Sequence, residues 1–299
     1  MSRPTVGFVG LGIMGLPMAK NLLDAGYDVV GHNRSPEPEE ELEAAGGDTA
    51  DTPAAVAEQT DIVVSCLPDT DAVERVVRGD DGLLDGLSEG MVYVDTSTIS
   101  PLATEALAAD LETLGVDMLD APISGGEEGA IQGSLSIMVG GDAAVLDACR
   151  GVFDAMGDTV THCGPSGAGQ TTKACNQIVV AAQMVGVSEA LVFAENAGAD
   201  LQAVVDAISG GAAGCWTLDN RASRMIRGNF DPGFFADYQY KDLRIATDAG
   251  QAYDSPMPLT ELAHELYKSM AANDMGRDDN SGVMQVIELL AGTEARIDE

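Results

Sequence analysis

Near the N-terminus the chain reads Thr5-Val6-Gly7-Phe8-Val9-Gly10-Leu11-Gly12-Ile13-Met14-Gly15, a β-rich run that breaks into glycines and continues as Leu16-Pro17-Met18-Ala19. This is the pattern of a strand, a GxGxxG turn and a helix. Gly10 permits the tight turn, Gly12 lets the backbone approach a pyrophosphate, and Gly15 allows close helix–strand packing. Leu11, Ile13 and Met14 supply the rest of the loop, and the phosphates would rest on the helix N-terminus, where free N–H groups and the dipole favour anions. A bare GxGxxG is a weak signal in a chain with 35 Gly. Its place after the first strand gives it weight.

The second strand, Asp28–Gly31, ends in His32-Asn33-Arg34-Ser35. A site that prefers NAD usually offers Asp or Glu there, about 20 residues on, to bind the ribose 2′-hydroxyl. Here there is no carboxylate, and Arg34 suits a 2′-phosphate. The expected cofactor is therefore NADP rather than NAD, with Asn33, Arg34 and Ser35 at its ribose. The plain alternative, a surface arginine, weighs less in a chain with only 15 Lys and Arg.

Further strands are expected over Asp61–Leu67, Met91–Asp95, Val116–Asp120, Leu135–Val139 and Thr159–His162. Helices are expected over Met14–Ala25, Asp71–Val77, Pro101–Leu114 and Asp142–Ala155. Such alternation implies a Rossmann-type α/β fold, a doubly wound, mainly parallel sheet. Ligands of these sheets bind beyond the carboxyl ends of strands, where Cys66-Leu67-Pro68 and Asp95-Thr96-Ser97 lie. After His162 the pattern changes. Gly164, Gly167 and Gly169 punctuate a loop, and Gln170 to Asn196 reads as one long helix. The remainder also reads helical, over Leu201–Ser209, Leu218–Arg227, Phe235–Ala249, Pro258–Asn273 and Val283–Ala291. Two domains follow, a sheet domain over 1–163 and an all-α domain over 164–299, joined by the long helix.

Composition narrows the function. Against 15 Lys and Arg stand 49 Asp and Glu, a formal charge of −34. That excess excludes nucleic acid and an anionic membrane surface as partners. With 45% hydrophobic residues the chain has ample core material, so the acid belongs to a folded surface. Only Lys20, Lys173, Lys241 and Lys268 are lysines. A surface rich in acid and nearly free of lysine suits concentrated salt, which screens self-repulsion, so a halophilic source is expected. No apolar run reaches the roughly 18 residues of a spanning helix. Cys66, Cys149, Cys163, Cys175 and Cys215 are odd in number and scattered. They read as reduced thiols of a cytoplasmic protein, with no metal site.

Hydride chemistry at a hydroxyl or carbonyl carbon needs a group to carry the alcohol proton. His32, His162 and His264 have no catalytic setting. Lys173, in Gly164-Pro165-Ser166-Gly167-Ala168-Gly169-Gln170-Thr171-Thr172-Lys173-Ala174-Cys175-Asn176-Gln177, is the better candidate. A lysine serves as a base near neutral pH when burial or a neighbouring cation depresses its pKa. Its neighbours here are small or apolar, with Asn176 and Gln177 on the same helical face. Asp120-Ala121-Pro122-Ile123-Ser124-Gly125-Gly126 follows the fifth strand. It reads as an ordinary glycine turn or as an anion nest made by Ser124, Gly125 and Gly126.

At these segments, and at Lys241-Asp242-Leu243, the chain resembles the β-hydroxyacid dehydrogenase family, over nearly its whole length. Members of that family include 3-hydroxyisobutyrate dehydrogenase and tartronate, glyoxylate and succinic semialdehyde reductases. The resemblance implies that Lys173 is the proton donor or acceptor and that Ser124, Gly125 and Gly126 bind the substrate carboxylate. It implies further that Asn176 holds the substrate, that Lys241 reaches the cofactor, and that Leu67, Pro68 and Thr96 touch the nicotinamide side. Some members carry two asparagines where this chain has Asn176-Gln177, so both side chains remain candidates. The similar 6-phosphogluconate dehydrogenases are much longer, and imine reductases usually lack the lysine. The expected activity is an NADP-linked interconversion of a short 3-hydroxy acid and its semialdehyde, closest to 3-hydroxyisobutyrate dehydrogenase. A glyoxylate, tartronate or succinic semialdehyde reductase is the alternative within the family, and a non-catalytic NADP-sensing module the alternative outside it. Trp216, Phe235, Tyr238 and Gln239 are positional candidates for substrate selection. A homodimer or homotetramer is expected from the apolar faces of the helical domain.

Overall fold

The computed structural model describes residues 3–297, so the outermost residues of both expected domains lie outside it. The valine- and isoleucine-rich runs of the first half form one sheet. Its strands are β1 (Val6–Val9), β2 (Val29–His32), β3 (Asp48–Thr49), β4 (Ile62–Ser65), β5 (Val92–Asp95), β6 (Asp117–Asp120), β7 (Ile123–Ser124), β8 (Ser136–Gly140) and β9 (Thr159–Gly164). Their order is β3-β2-β1-β4-β5-β6-β8-β7, with β9 paired to β8. From β3 to β6 every pairing is parallel, whereas β8 runs antiparallel to β6 and β7. Chain order reverses across β1, which lies between β2 and β4. In open α/β sheets that is where ligands bind.

Helices cover both faces, which is why the strands read as apolar runs rather than alternating ones. Val6, Phe8, Ile62, Val64 and Val94 pack into one core cluster with Met18 and Leu22. Their chain neighbours Val9, Val63 and Tyr93 pack into another with Leu107 and Leu111. The two-residue side-chain period of a strand therefore feeds two cores from one sheet.

The chain divides into two units, one ending at Lys173 and the other beginning at Ala174. The long helix, Ala168–Asn196, starts slightly before its expected first residue. At 29 residues it is about 43 Å long. It also amends one sequence expectation. By length and mean hydropathy, though not by an unbroken run, it is apolar enough to cross a membrane, and half of its most apolar window is buried within the protein.

The second unit is helical, with helices over Leu201–Ser209, Ala236–Ala252, Pro258–Ala272 and Val283–Ala291. Two expected helices are subdivided. Asp142–Ala155 is two helices meeting at Cys149, whose φ of −90° and ψ of 2° leave the helical basin. Leu218–Arg227 opens as a wide π-turn over Leu218–Ala222 before Ser223–Met225. The acidic helix Pro36–Ala44 had no apolar period to announce it, because it buries only Leu42. β3 and β7, with two residues each, are too short to carry a pattern.

Candidate functional site

The glycine turn after β1 divides its labour among its three glycines. Gly10 sits at φ +96°, and a Cβ there would stand 2.4 Å from the Cys66 carbonyl oxygen. A Cβ on Gly15 would lie 1.9 Å from the Gly10 carbonyl oxygen, so the turn closes only on glycine. Around Gly12 the position of a Cβ meets nothing within 4 Å. That space lies beside the helix Gly15–Asp24, which no side chain caps. An open backbone face and an uncapped helix start fit a pyrophosphate. Ile13 is exposed, whereas Leu11 is buried in the core, so Leu11 can offer a ligand only its backbone.

The end of β2 is tied to this turn by Asn33. Its Oδ1 accepts the Leu11 N–H (3.1 Å), and its Nδ2 donates to the carbonyl and hydroxyl oxygens of Ser35. Sequence reasoning missed a carboxylate here. Glu39, from the first turn of Pro36–Ala44, accepts the Asn33 N–H at 2.7 Å and lies 3.3 Å from His32 Nδ1. The Ser35-Pro36 helix start was the signal that a residue one turn on would lie over the strand end. Arg34 is exposed, and among the described residues no ion pair engages it.

Beyond β4 and β5, Leu67 is half-buried and Pro68 exposed. Thr96 is buried, and its hydroxyl donates to the Ser65 carbonyl at 2.7 Å. Ser97 joins these loops, since its Oγ accepts the Leu67 N–H at 2.8 Å. Beyond β6, Ser124 is half-buried, and Gly125 and Gly126 both take positive φ, at +145° and +65°. Lys173 is only 6% exposed.

Asp120, which ends β6, is fully buried and receives the N–H groups of Gly167 and Gln170 at 2.8 and 2.9 Å. Burial lifts its pKa to about 6, although these two N–H donors pull it down and nearby Asp95 pushes it further up. The sequence displayed Asp120 as the first residue of its motif, but nothing local marked it as the cap of a helix that begins so much later.

In the second unit, Gln177 is buried. Its Nε2 donates to Asp242 Oδ2, and its Oε1 accepts from Asn176 Nδ2, both at 2.7 Å. Asp242 pairs in turn with Lys241 at 3.1 Å. Gln239, a positional candidate for substrate selection, is fully buried and donates to the Gln177 carbonyl at 3.2 Å. Trp216 and Tyr238 stay exposed, with Arg221 stacked 4.6 Å over the Trp216 ring.

Two family models match the chain. The NAD binding domain of 6-phosphogluconate dehydrogenase covers residues 5–164, and the NAD-binding domain of NADP-dependent 3-hydroxyisobutyrate dehydrogenase covers 167–287. The 2-hydroxy-3-oxopropionate reductase of Escherichia coli is 42% identical, over 96% of this chain and 98% of the relative. The chain belongs to the β-hydroxyacid dehydrogenase family. A solved structure of Mycobacterium tuberculosis 3-hydroxyisobutyrate dehydrogenase with L-serine is 33% identical, with a TM-score of 0.89, covering 96% of this chain and 99% of that one. The structure of Psf3 in complex with NADP+ and 2-OPP is 28% identical, with a TM-score of 0.83, covering 95% and 100%. As a β-hydroxyacid dehydrogenase the protein uses a nicotinamide dinucleotide and acts on the CH–OH group of a small hydroxy acid. Imine reductases, such as that of Pseudomonas at 21% identity and a TM-score of 0.62, share the fold alone.

Proposed function

We propose that this dehydrogenase is NADP-linked and interconverts a short 3-hydroxy acid and its semialdehyde, with Lys173 as the general acid and base. A nicotinamide bound at these residues would supply the hydride acceptor for oxidation and the hydride donor for reduction. In oxidation neutral Lys173 accepts the hydroxyl proton, and in reduction protonated Lys173 gives it back to the carbonyl oxygen. Ser124 and the backbone of Gly125 and Gly126 hold the substrate carboxylate. Asn176 orients the substrate, and Gln177, whose side chain is taken by Asp242 and Asn176, orients Asn176. The turn Gly10–Gly15 with Asn33, Arg34 and Ser35 holds the adenosine end of the cofactor. Leu67, Pro68 and Thr96 serve its nicotinamide end, and Lys241 reaches the cofactor.

The observation that carries this reading is the burial of Lys173, 6% exposed in the first turns of the long helix. Exposed, unpaired Arg34 supports NADP, as do the NADP+ complex of Psf3 and the NADP-dependent family model. Among substrates, the serine complex of the mycobacterial relative favours a 3-hydroxyisobutyrate-like acid. A second reading, tartronate semialdehyde reduction, rests on the Escherichia coli relative. We place the enzyme in the cytoplasm of an organism with a saline interior.

Lys173→Ala is expected to lose 10²–10⁴-fold in kcat, on the order expected for general acid–base catalysis, while NADPH still binds. Near-wild-type turnover would remove the lysine from the mechanism. A panel of 3-hydroxyisobutyrate, glycerate, glyoxylate, and tartronate and succinic semialdehydes, run with both nicotinamide cofactors at molar salt, separates the two substrate readings. NADPH binding without turnover of any of them would favour a sensing module.

A further inference from the structure

Gln170 has no part in the proton transfer just described, yet it is 1% exposed and engaged at three polar atoms. Its amide N–H donates to Asp120 Oδ2 at 2.9 Å. The side-chain Nε2 donates to the Ser97 carbonyl at 2.8 Å, and Oε1 accepts the Ile99 N–H at 3.0 Å. Through the Ser97 hydroxyl, which accepts the Leu67 N–H, the same network reaches the loop after β4. One residue therefore bonds the end of β6 and the loop after β5 directly, and the loop after β4 through a single serine. It does so one helical turn before Lys173.

Asp120 holds the other side of this brace. It is fully buried, and it caps the helix from a strand rather than from the preceding turn. Close packing leaves the helix start no freedom to slide. A Cβ on Gly169 would stand 2.4 Å from the Met138 carbonyl oxygen and 2.6 Å from that of Asp120. One on Gly140 would stand 2.4 Å from Asp120 Oδ1. Burying a carboxylate and a primary amide costs solvation that apolar packing would not, and directional bonds fix register where apolar contact tolerates drift.

We propose that Gln170, clamped by Asp120, is a positioning residue that sets where Lys173 stands relative to the loops after β4 and β5. The inference rests on the reading of Lys173 as the proton carrier. It matters because an error of about 1 Å at a reacting group costs on the order of 10²-fold in rate.

The test uses Gln170→Leu, the isosteric Gln170→Glu, Lys173→Ala and the double variant Gln170→Leu/Lys173→Ala. Each is checked for folding by circular dichroism and assayed for kcat, KM, NADPH affinity and the isotope effect of deuterated NADPH. Gln170→Leu is expected to lower kcat by about 10–100-fold. NADPH affinity should stay within about threefold and the isotope effect should rise as chemistry becomes limiting. Gln170→Glu keeps the acceptor for Ile99 but sets an oxygen against the Ser97 carbonyl oxygen, so its loss should be at least as large as that of Gln170→Leu. In the Lys173→Ala background Gln170→Leu should cost nothing more, because both changes remove one function. The proposal is overturned by a folded Gln170→Leu enzyme within threefold of wild-type kcat, by an equal loss in the Lys173→Ala background, or by a loss confined to NADPH affinity. Wild-type turnover by Lys173→Ala alone defeats the lysine reading itself, whatever Gln170→Leu does.

Discussion

Burial sorts the four lysines of this chain. The Lys20 and Lys268 side chains are 36% and 54% exposed and pair with surface glutamates, whereas Lys173 is 6% exposed and Lys241 lies against buried Asp242. Arg34 is a different kind of cation, exposed and without an ion pair among the described residues. Arg34→Ser should raise KM for NADP by about 10–100-fold, the loss of one charge-assisted phosphate contact or two, and leave KM for NAD nearly unchanged. Equal effects on both cofactors would place the arginine elsewhere. Asp120 supplies a pH prediction. Desolvation moves its pKa from 3.8 to about 6, so between those values the folded protein holds a proton that the unfolded chain has released. Stability therefore falls as pH rises through that window, by about 3 kcal/mol at 1.36 kcal/mol per unit. Denaturant unfolding of wild type and Asp120→Asn at pH 4.5 and 6.5 reads this directly. The wild type should lose stability relative to the variant on going up in pH, and a constant difference would mean an unshifted carboxyl.

Among the elements, the glycine turn makes two opposite predictions from one motif. Gly15→Ala places a methyl against the Gly10 carbonyl oxygen and should lower both thermal stability and cofactor affinity. At Gly12 an added methyl meets no protein atom within 4 Å. Gly12→Ala should therefore keep the melting temperature of the unliganded enzyme and still weaken NADPH binding at least about tenfold, because it fills the space a pyrophosphate needs. A melting temperature lowered as far as that of Gly15→Ala would contradict this division. The same turn was legible in sequence because its glycines, its strand and its helix are contiguous. So were the seven longer strands and the long helix, whose apolar periods are local. Asp120 and Glu39 were not legible as parts of a site, and Gln177, a candidate in the sequence, gave no sign of its partner Asp242. These roles depend on partners at Gly167, Asn33 and Asp242 that only the folded chain brings near, and a single sequence carries no signal for such pairings. Pro36–Ala44 escaped because acid on nearly every face hides a helix that is anchored by one leucine.

For the whole molecule, a charge of −34 makes ionic strength a structural variable. The Debye length is about 10 Å at 0.1 M salt and about 3 Å at 1 M, so added KCl removes most of the repulsion among surface acids. The melting temperature should rise steadily between 0.1 and 2 M KCl, and a flat response would end the halophilic reading. Phe193, Leu289 and Leu290, at 74%, 69% and 75% exposure in the helical unit, are apolar surface that association would cover. Light scattering should find a dimer or tetramer, and Leu290→Asp should shift it toward monomer if that surface is the contact. The acidity has a kinetic consequence as well. A nicotinamide dinucleotide and a hydroxy acid are both anions, so each approaches a body of like charge. Salt slows most electrostatically guided encounters, whereas here screening lowers the barrier to arrival. The association rate of NADPH, followed by stopped-flow fluorescence, should increase with ionic strength, which would make ionic strength a variable of turnover as well as of stability.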